Sequence, residues 1–507
     1  MTVILTGHTL TLEQLYEVAE NHAKVALHPD SVKNVEKCRA YVEKIVAENR
    51  VVYGLTTGFG KFATIRIPTE QIEELQTNLI MSHATAVGAY LSEAETRAIM
   101  LLRINVLANG HSGIRLQTLQ TLIDMLNAGI HPCIPEKGSV GASGDLAPLS
   151  HLALVLLGKG RAVYNGEEMT GGEAMQLAGL TPVTLKAKEG LALNNGTQVM
   201  TGITALALLK AEHLCRVADV CAAMSIDALL GTTDAFDPLI HKLRPFGGQQ
   251  DSAKNITALL DGSELRESHR NCGNVQDAYS LRCTPQVHGA VREALRYVRS
   301  VLDVEINATT DNPLIFPDED RVISGGNFHG EPVAFAADTL GFTIAELANI
   351  SERRMEQMLN PALNRGLNAF LAPRPGLDSG FMIAQLTAAS LISENKVMAH
   401  PASVDSIPTS ANQEDHVSMG TIGAVKARNM IDNVCFVLGI ELMIATQAID
   451  GRSYTSSKAL ESLRHQVRKN VPFLEKDRII MGDINSMKAL IESATIPQVI
   501  QEFVTLS

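Results

Sequence analysis

The chemistry this chain could perform is concentrated in one stretch, Gly141-Ala142-Ser143-Gly144-Asp145-Leu146-Ala147-Pro148-Leu149-Ser150-His151. Glycines flank a small residue and a serine. The amide nitrogen of Gly144 can attack the carbonyl carbon of Ala142 and close a five-membered ring, because Gly144 has no side chain and Ala142 adds little bulk. Loss of water from the ring, and then of the Ser143 hydroxyl, leaves an exocyclic methylene. That product is an electrophile of a kind no ordinary side chain supplies. Without such chemistry the same residues read as a loop capping a helix, with Ser143 or Asp145 as the cap and Pro148 near the helix start. For an isolated Ser-Gly-Asp the capping role is the commoner one, so the choice rests on what else the chain carries.

Several other clusters hold groups suited to an amino acid. In Asn274-Val275-Gln276-Asp277-Ala278-Tyr279-Ser280-Leu281-Arg282-Cys283, the residues Gln276, Tyr279 and Arg282 are spaced by three and would share one face of a helix. Arginine forks onto a carboxylate with two parallel hydrogen bonds. Tyrosine acts as a base when a nearby cation lowers its pKa. The plain alternative is a polar helix start. Gly325-Gly326-Asn327-Phe328-His329-Gly330 is by itself a glycine-rich turn, and Ser410 to Ser418, which contains Glu414, is by itself an acid-rich helix N-terminus. His83, in Met81-Ser82-His83-Ala84, sits in an apolar helix, where a lone histidine is more often a satisfied core residue. Asn194 and Asn195 precede a long helix, as capping residues do. Tyr53-Gly54-Leu55-Thr56-Thr57-Gly58-Phe59-Gly60-Lys61-Phe62 looks like a phosphate-binding loop, but Phe62 stands where Ser or Thr should follow Gly-Lys.

Taken with these clusters, Gly141 to His151 resembles the signature of the aromatic amino acid ammonia-lyases, and the chain is similar to that family from end to end, most of all to the branch acting on L-histidine. The resemblance implies that Ala142, Ser143 and Gly144 become a methylidene-imidazolone prosthetic group, with no external cofactor. It implies catalytic roles for Tyr53, carried on an active-site lid, and for Tyr279, which removes the β-proton. It places His83, Asn195, Gln276, Arg282, Phe328 and Glu414 around the substrate. Arg282 would hold the carboxylate and Gln276 would contact the substrate. Tyr53 and Asn195 would position the amine and polarise the prosthetic group. His83 and Glu414 would orient the imidazole, and Phe328 would reach a neighbouring subunit's site. The reaction would give trans-urocanate and ammonia from a homotetramer with shared active sites; attack on the electrophile by the substrate amine or by its ring stays open. Glu414 bears most on substrate choice. An imidazole offers two nitrogens and needs a polar partner, and family members acting on phenylalanine or tyrosine usually differ there. His83 discriminates less, since tyrosine-specific relatives can share it.

The elements that must carry these residues are mainly helical. Of 507 residues, 45% are hydrophobic, 19% charged and only 4% aromatic, with no Trp, so Ala, Leu, Ile and Met fill the core. Thr11-Leu12-Glu13-Gln14 is a capping box. Helices are expected over 31–49, 69–87, 92–107, 114–128, 334–359 and 417–448, with a hairpin at Ala162-Val163-Tyr164-Asn165-Gly166 and a short strand at Val3-Ile4-Leu5. Val287, Val291, Ala294, Val298 and Val301 alternate steps of four and three, the seam of a bundle helix. The fold expected is mainly α, with a long-helix bundle core (201–507), a smaller N-terminal helical lobe bearing the prosthetic-group loop (1–200) and minor β hairpins. The boundary is soft. Net charge is −12 with no basic run, which argues against nucleic acid. Seven scattered cysteines without a Cys-x-x-Cys suggest neither a disulfide framework nor a zinc site, and no metal is expected. The first residues lack the basic region and apolar length of a signal peptide, and no membrane partner is expected; a cytoplasmic location follows. The nearest rivals are a tyrosine or phenylalanine ammonia-lyase, or an aromatic aminomutase with the same prosthetic group. The fumarase–aspartase class lacks its Gly-Ser-Ser…Met-Pro…Lys…Asn loop here. A catalytically silent helical scaffold or binding protein would have lost the Ala-Ser-Gly, Tyr and Arg positions, and none is lost.

Overall fold

Local signals set the first helices. Thr11 accepts from the Gln14 backbone N–H while the Gln14 side chain returns to Thr11, and the helix Leu12–Ala19 follows. Ser92 and Glu95 repeat the device for Glu93–Ala108. In the computed structural model, which describes residues 2–270 and 272–507, twenty α-helices carry the described chain. The expected hairpin pairs Arg161–Tyr164 with Glu167–Thr170 through a two-residue turn, Asn165 (φ 52°) and Gly166 (φ 80°), both in the left-handed region that such turns need. Thr2–Leu5 pairs in parallel with Lys24–Leu27.

The chain forms two compact units that alternate along the sequence. The first takes the segment up to Leu206, with Arg299–Asp338 and Pro401–Val425; the second takes Ala207–Val298, Thr339–His400 and Lys426–Ser507. The first crossing falls near the soft division at residue 200, and the chain then returns twice to the first unit. In the second unit, buried polar groups tie long helices together. Arg354 of Glu331–Leu359 pairs with Glu441 of Gly420–Asp450, which also accepts from Ser225 of Gln198–Ala228. Asp219 accepts from Arg292 and lies 2.7 Å from His288 Nδ1, both on Thr284–Glu305. Breaking one partner of such a buried pair typically costs about 3–5 kcal/mol, because the other charge is stranded.

Two expectations shift in detail. The helix expected over 69–87 is Ile72–His83 and stops at His83, because Val87–Tyr90 is drawn into an antiparallel strand with Pro135–Lys137. On Thr284–Glu305, Val291 and Val298 are fully buried, but their buried companions are Leu295 and Leu302; Val287, Ala294 and Val301 are only half-buried. The helices Glu331–Leu359 and Gly420–Asp450 are long and apolar enough to cross a membrane, yet 67% and 78% of their most apolar windows are buried inside the protein, as in core helices.

Candidate active site

The Ala-Ser-Gly loop is held by groups far away in sequence. Asp145 occupies the N-cap position of Leu146–Leu156, but its side chain makes no cap bond there. Its fully buried carboxylate instead accepts from the backbone N–H of Val199 (3.0 Å) and Met200 (2.9 Å), capping Gln198–Ala228. It also accepts from the hydroxyls of Ser139 (2.8 Å) and Thr421. Burial pushes its pKa up, and these four donors oppose that. Ser418 Oγ donates to Gly141 O (3.0 Å), and Asp145 N donates to Gly196 O (2.7 Å). Capping as read from sequence is thus corrected: Asp145 caps a different helix, and Ser143 caps none.

Gly144 lies in the left-handed region, φ 67°, and a Cβ there would stand 2.1 Å from Gly196 O. Left-handed backbone alone costs a non-glycine residue about 1–2 kcal/mol. Gly144→Ala is therefore expected to lower the melting temperature and to keep the mass of an unmodified chain, without loss of two waters. A variant that loses both waters at wild-type stability would show that Gly144 is not needed for close approach.

Around this loop lies a cleft of about 1100 Å³, lined wholly by residues of the first unit. Ser143 Oγ donates to Glu414 Oε1 (2.9 Å). Glu414 Oε2 accepts from Thr409 Oγ1 (2.7 Å) and Ser410 Oγ (2.8 Å). The turn that presents Glu414 has three successive non-glycine residues in the left-handed region, Ser410 (φ 51°), Ala411 (54°) and Asn412 (64°). Backbone strain of this kind concentrates at functional sites. Asn195, 3% exposed, donates from Nδ2 to Ser143 O (2.8 Å), while its Oδ1 is buried without a partner. His83 ends its helix at the cleft, with Nδ1 3.0 Å from Ser82 Oγ. Burial lowers its pKa, and the charge of Glu414 acts in the opposite direction. Tyr53 lines the cleft, and its hydroxyl accepts from Gly60 N (3.1 Å), which folds the glycine-rich loop onto itself. Phe328 lines the cleft of its own chain.

The structure thus brings together Tyr53, His83, Ala142, Ser143, Asn195, Phe328 and Glu414, with Gly144 in the loop beneath. Gln276, Tyr279 and Arg282 belong to the second unit and are not among the lining residues. Nor do they share a helical face. The helix there is only Tyr279–Arg282, and Gln276 precedes it in irregular chain. Asp277 is the cause. Buried, it accepts from Thr232 N (2.7 Å), Asn274 Nδ2 (3.0 Å) and Arg365 Nη2 (2.6 Å), which pins the chain out of helical register. The Arg282 guanidinium lies 4.6 Å over the Tyr279 ring, and Tyr279 is 71% exposed.

Sequence reasoning missed Arg103, which is fully buried. It donates to Asn195 O (2.8 Å), Gln198 Oε1 (2.7 Å) and Ala192 O, and so holds the segment carrying Asn195. An arginine inside the apolar run Met100-Leu101-Leu102-Arg103-Ile104 was the available signal, since such a charge must find partners. It also missed Asn312, which lines the cleft and accepts from Gly325 N (2.8 Å) through Oδ1.

The family described as "Aromatic amino acid lyase" matches residues 10–469. The chain is 52% identical over 507 residues to "Histidine ammonia-lyase" of Alkaliphilus metalliredigens (strain QYMF), covering 99% of each chain. Among solved structures it is similar to histidine ammonia-lyase from Trypanosoma cruzi, with TM-score 0.92, 46% identity and coverage of 100% of this chain and 96% of that one. It is also similar to tyrosine aminomutase from Streptomyces globisporus, with TM-score 0.94, 38% identity and full coverage of both.

Proposed function

The chain belongs to the aromatic amino acid lyase family and is a carbon–nitrogen lyase, and on that premise we propose that it eliminates ammonia from L-histidine to give trans-urocanate, the first step of histidine degradation. The observation that carries the substrate is Glu414, a carboxylate held 2.9 Å from the Ser143 hydroxyl in the same cleft as His83. A carboxylate accepts from a ring N–H, and neither phenylalanine nor the phenol of tyrosine has a basic ring to match it.

Ala142, Ser143 and Gly144 fit the methylidene-imidazolone group. The loop leaves no room for a side chain on Gly144, and Asn195 donates to Ser143 O, the carbonyl that the ring would retain. Once formed, the group supplies an electrophilic carbon that makes ammonia a viable leaving group. The Asn195 amide draws electron density from that carbonyl, as a positioned donor does at a developing oxyanion. Its unpartnered Oδ1 is an acceptor of the kind an ammonium needs. Tyr53 helps to position the amine, and Phe328 packs against the substrate. His83, whose charged form burial disfavours, hydrogen-bonds the imidazole together with Glu414. Tyr279 takes the β-proton, Arg282 forks onto the carboxylate and Gln276 contacts the substrate.

These last three residues are supplied by a neighbouring copy of the chain, in a homotetramer with shared sites. We place the enzyme in the cytoplasm, where seven unpaired cysteines stay reduced.

The test is ultraviolet absorbance after adding L-histidine, L-tyrosine or L-phenylalanine in parallel, because a conjugated acrylate absorbs where the amino acids do not. A rise with histidine alone is expected. A rise only with tyrosine or phenylalanine would overturn the role given to Glu414. A β-amino acid product would make the protein an aminomutase, as its likeness to tyrosine aminomutase allows.

A further inference from the structure

We propose that Thr409 and Ser410 are positioning residues for the substrate ring: their hydroxyls hold one oxygen of the Glu414 carboxylate, so that the other is aimed at the imidazole N–H. The inference rests on the reading of Glu414 as the partner of the imidazole, and it names what makes that carboxylate selective.

Glu414 uses its two oxygens unequally. Oε2 accepts from both Thr409 Oγ1 (2.7 Å) and Ser410 Oγ (2.8 Å). Oε1 accepts from Ser143 Oγ (2.9 Å) across the cleft. The Ser143 hydroxyl is lost when the ring forms. Oε1 is then released toward the cleft, while Oε2 keeps both of its donors. The carboxylate therefore meets the substrate with one oxygen free and the other fixed.

The donors and the acceptor sit on one closed turn. Thr409 N donates to Glu414 O (2.9 Å), the two residues form an antiparallel bridge, and Gln413 N donates to Ser410 O (3.1 Å). Ser410, Ala411 and Asn412, all in the left-handed region, carry the chain between them. Such a conformation persists only where its surroundings over-determine it. Here the backbone bridge and the two hydroxyls do so together. Thr409 and Ser410 thus move with Glu414 and hold it by the shortest available path.

The hold matters because of the side chain it acts on. The terminal torsion of a glutamate is broad, so a carboxylate left to itself samples many orientations. Ordering it when substrate arrives would cost rotamer freedom. Two charge-assisted hydrogen bonds on Oε2 are short and directional, and they order it beforehand. A ring N–H gains from that alignment, and a phenyl ring, which has no donor, gains nothing.

The test combines Thr409→Val with Ser410→Ala in the full-length protein, beside Glu414→Gln and the triple variant. Intact mass comes first, and each protein should have lost two waters. A double variant that keeps its waters would assign the hydroxyls to ring formation and overturn the proposal. The double variant is expected to lower kcat/KM for L-histidine about 30-fold. Thr409→Ser in place of Thr409→Val should recover most of that loss, and the triple variant should fall no further than Glu414→Gln. Proton NMR of His83 needs no substrate. The Glu414 charge favours the His83 imidazolium. A carboxylate that exchanges its hydroxyls for water is better screened, so the His83 pKa should fall in the double variant and should not respond when Glu414 is already Gln. An unchanged rate, no recovery with Thr409→Ser, a further loss on the Glu414→Gln background or an unmoved His83 would each overturn the positioning role. A parent protein that gives no absorbance rise with L-histidine would instead refute the substrate reading, and the alignment with it.

Discussion

Ser143→Ala is expected to fold as the parent does and to lose at least about 10⁴-fold in kcat, ~5.5 kcal/mol of transition-state stabilisation. The size follows from the chemistry. The β-hydrogen of histidine is weakly acidic and ammonia leaves poorly, so elimination needs an electrophile, and Ser143 is its only source in the cleft. The mild effect on folding follows from the structure. The Ser143 side chain makes one hydrogen bond, to Glu414, and lies only half-buried. Its loss strands no buried donor. The checks are the rate of absorbance increase with L-histidine, a thermal melt and the intact mass. The parent should weigh two waters less than its translated sequence, and Ser143→Ala should lose neither. A Ser143→Ala protein within tenfold of the parent's rate would remove the electrophile from the mechanism.

Glu414→Gln should lower kcat/KM for L-histidine by about 10³-fold, near 4 kcal/mol, and Glu414→Ala by more. Glutamine keeps the length of the side chain but replaces one acceptor oxygen with a donor and removes the charge. The two hydroxyls that still donate to Glu414 once the Ser143 hydroxyl has been lost in ring formation, those of Thr409 and Ser410, then meet an amide. Thr409 and Ser410 can turn to water, so stability should change by less than about 1 kcal/mol. The loss of charge has its own signature. Burial already lowers the His83 pKa, and the Glu414 carboxylate favours the imidazolium. Without that carboxylate the charged form of His83 is less favoured, so its pKa should fall further. Proton NMR of His83 tests the sign, and a rise would show that another group sets its charge. Parallel assays with L-tyrosine and L-phenylalanine test specificity. An equal proportional loss on all substrates would mean that Glu414 serves the loop rather than the imidazole.

What the chain determined by itself is whatever depends on neighbours within a few residues. The capping boxes at Thr11 and Ser92, the Asn165-Gly166 turn and the long apolar helices are legible because an N-cap bond spans three residues and a hairpin turn two. The Ala-Ser-Gly loop is legible for the same reason, since its ring would close between residues only two positions apart. The tertiary structure alone decided which groups meet. Asp145 looked like the cap of the helix that follows it and instead caps one that begins at Gln198. Ser143 meets Glu414 across 271 positions. Arg103, invisible as a site residue, holds Asn195. Gln276, Tyr279 and Arg282 have helical spacing but no common helical face, because Asp277 is bonded to Thr232 and Arg365. For Asp145, Arg103 and Asp277 a buried polar group had to find partners, and burial makes an unpaired donor or acceptor costly. That demand is strong enough to override local propensity, and it is met between residues that only the folded chain brings together.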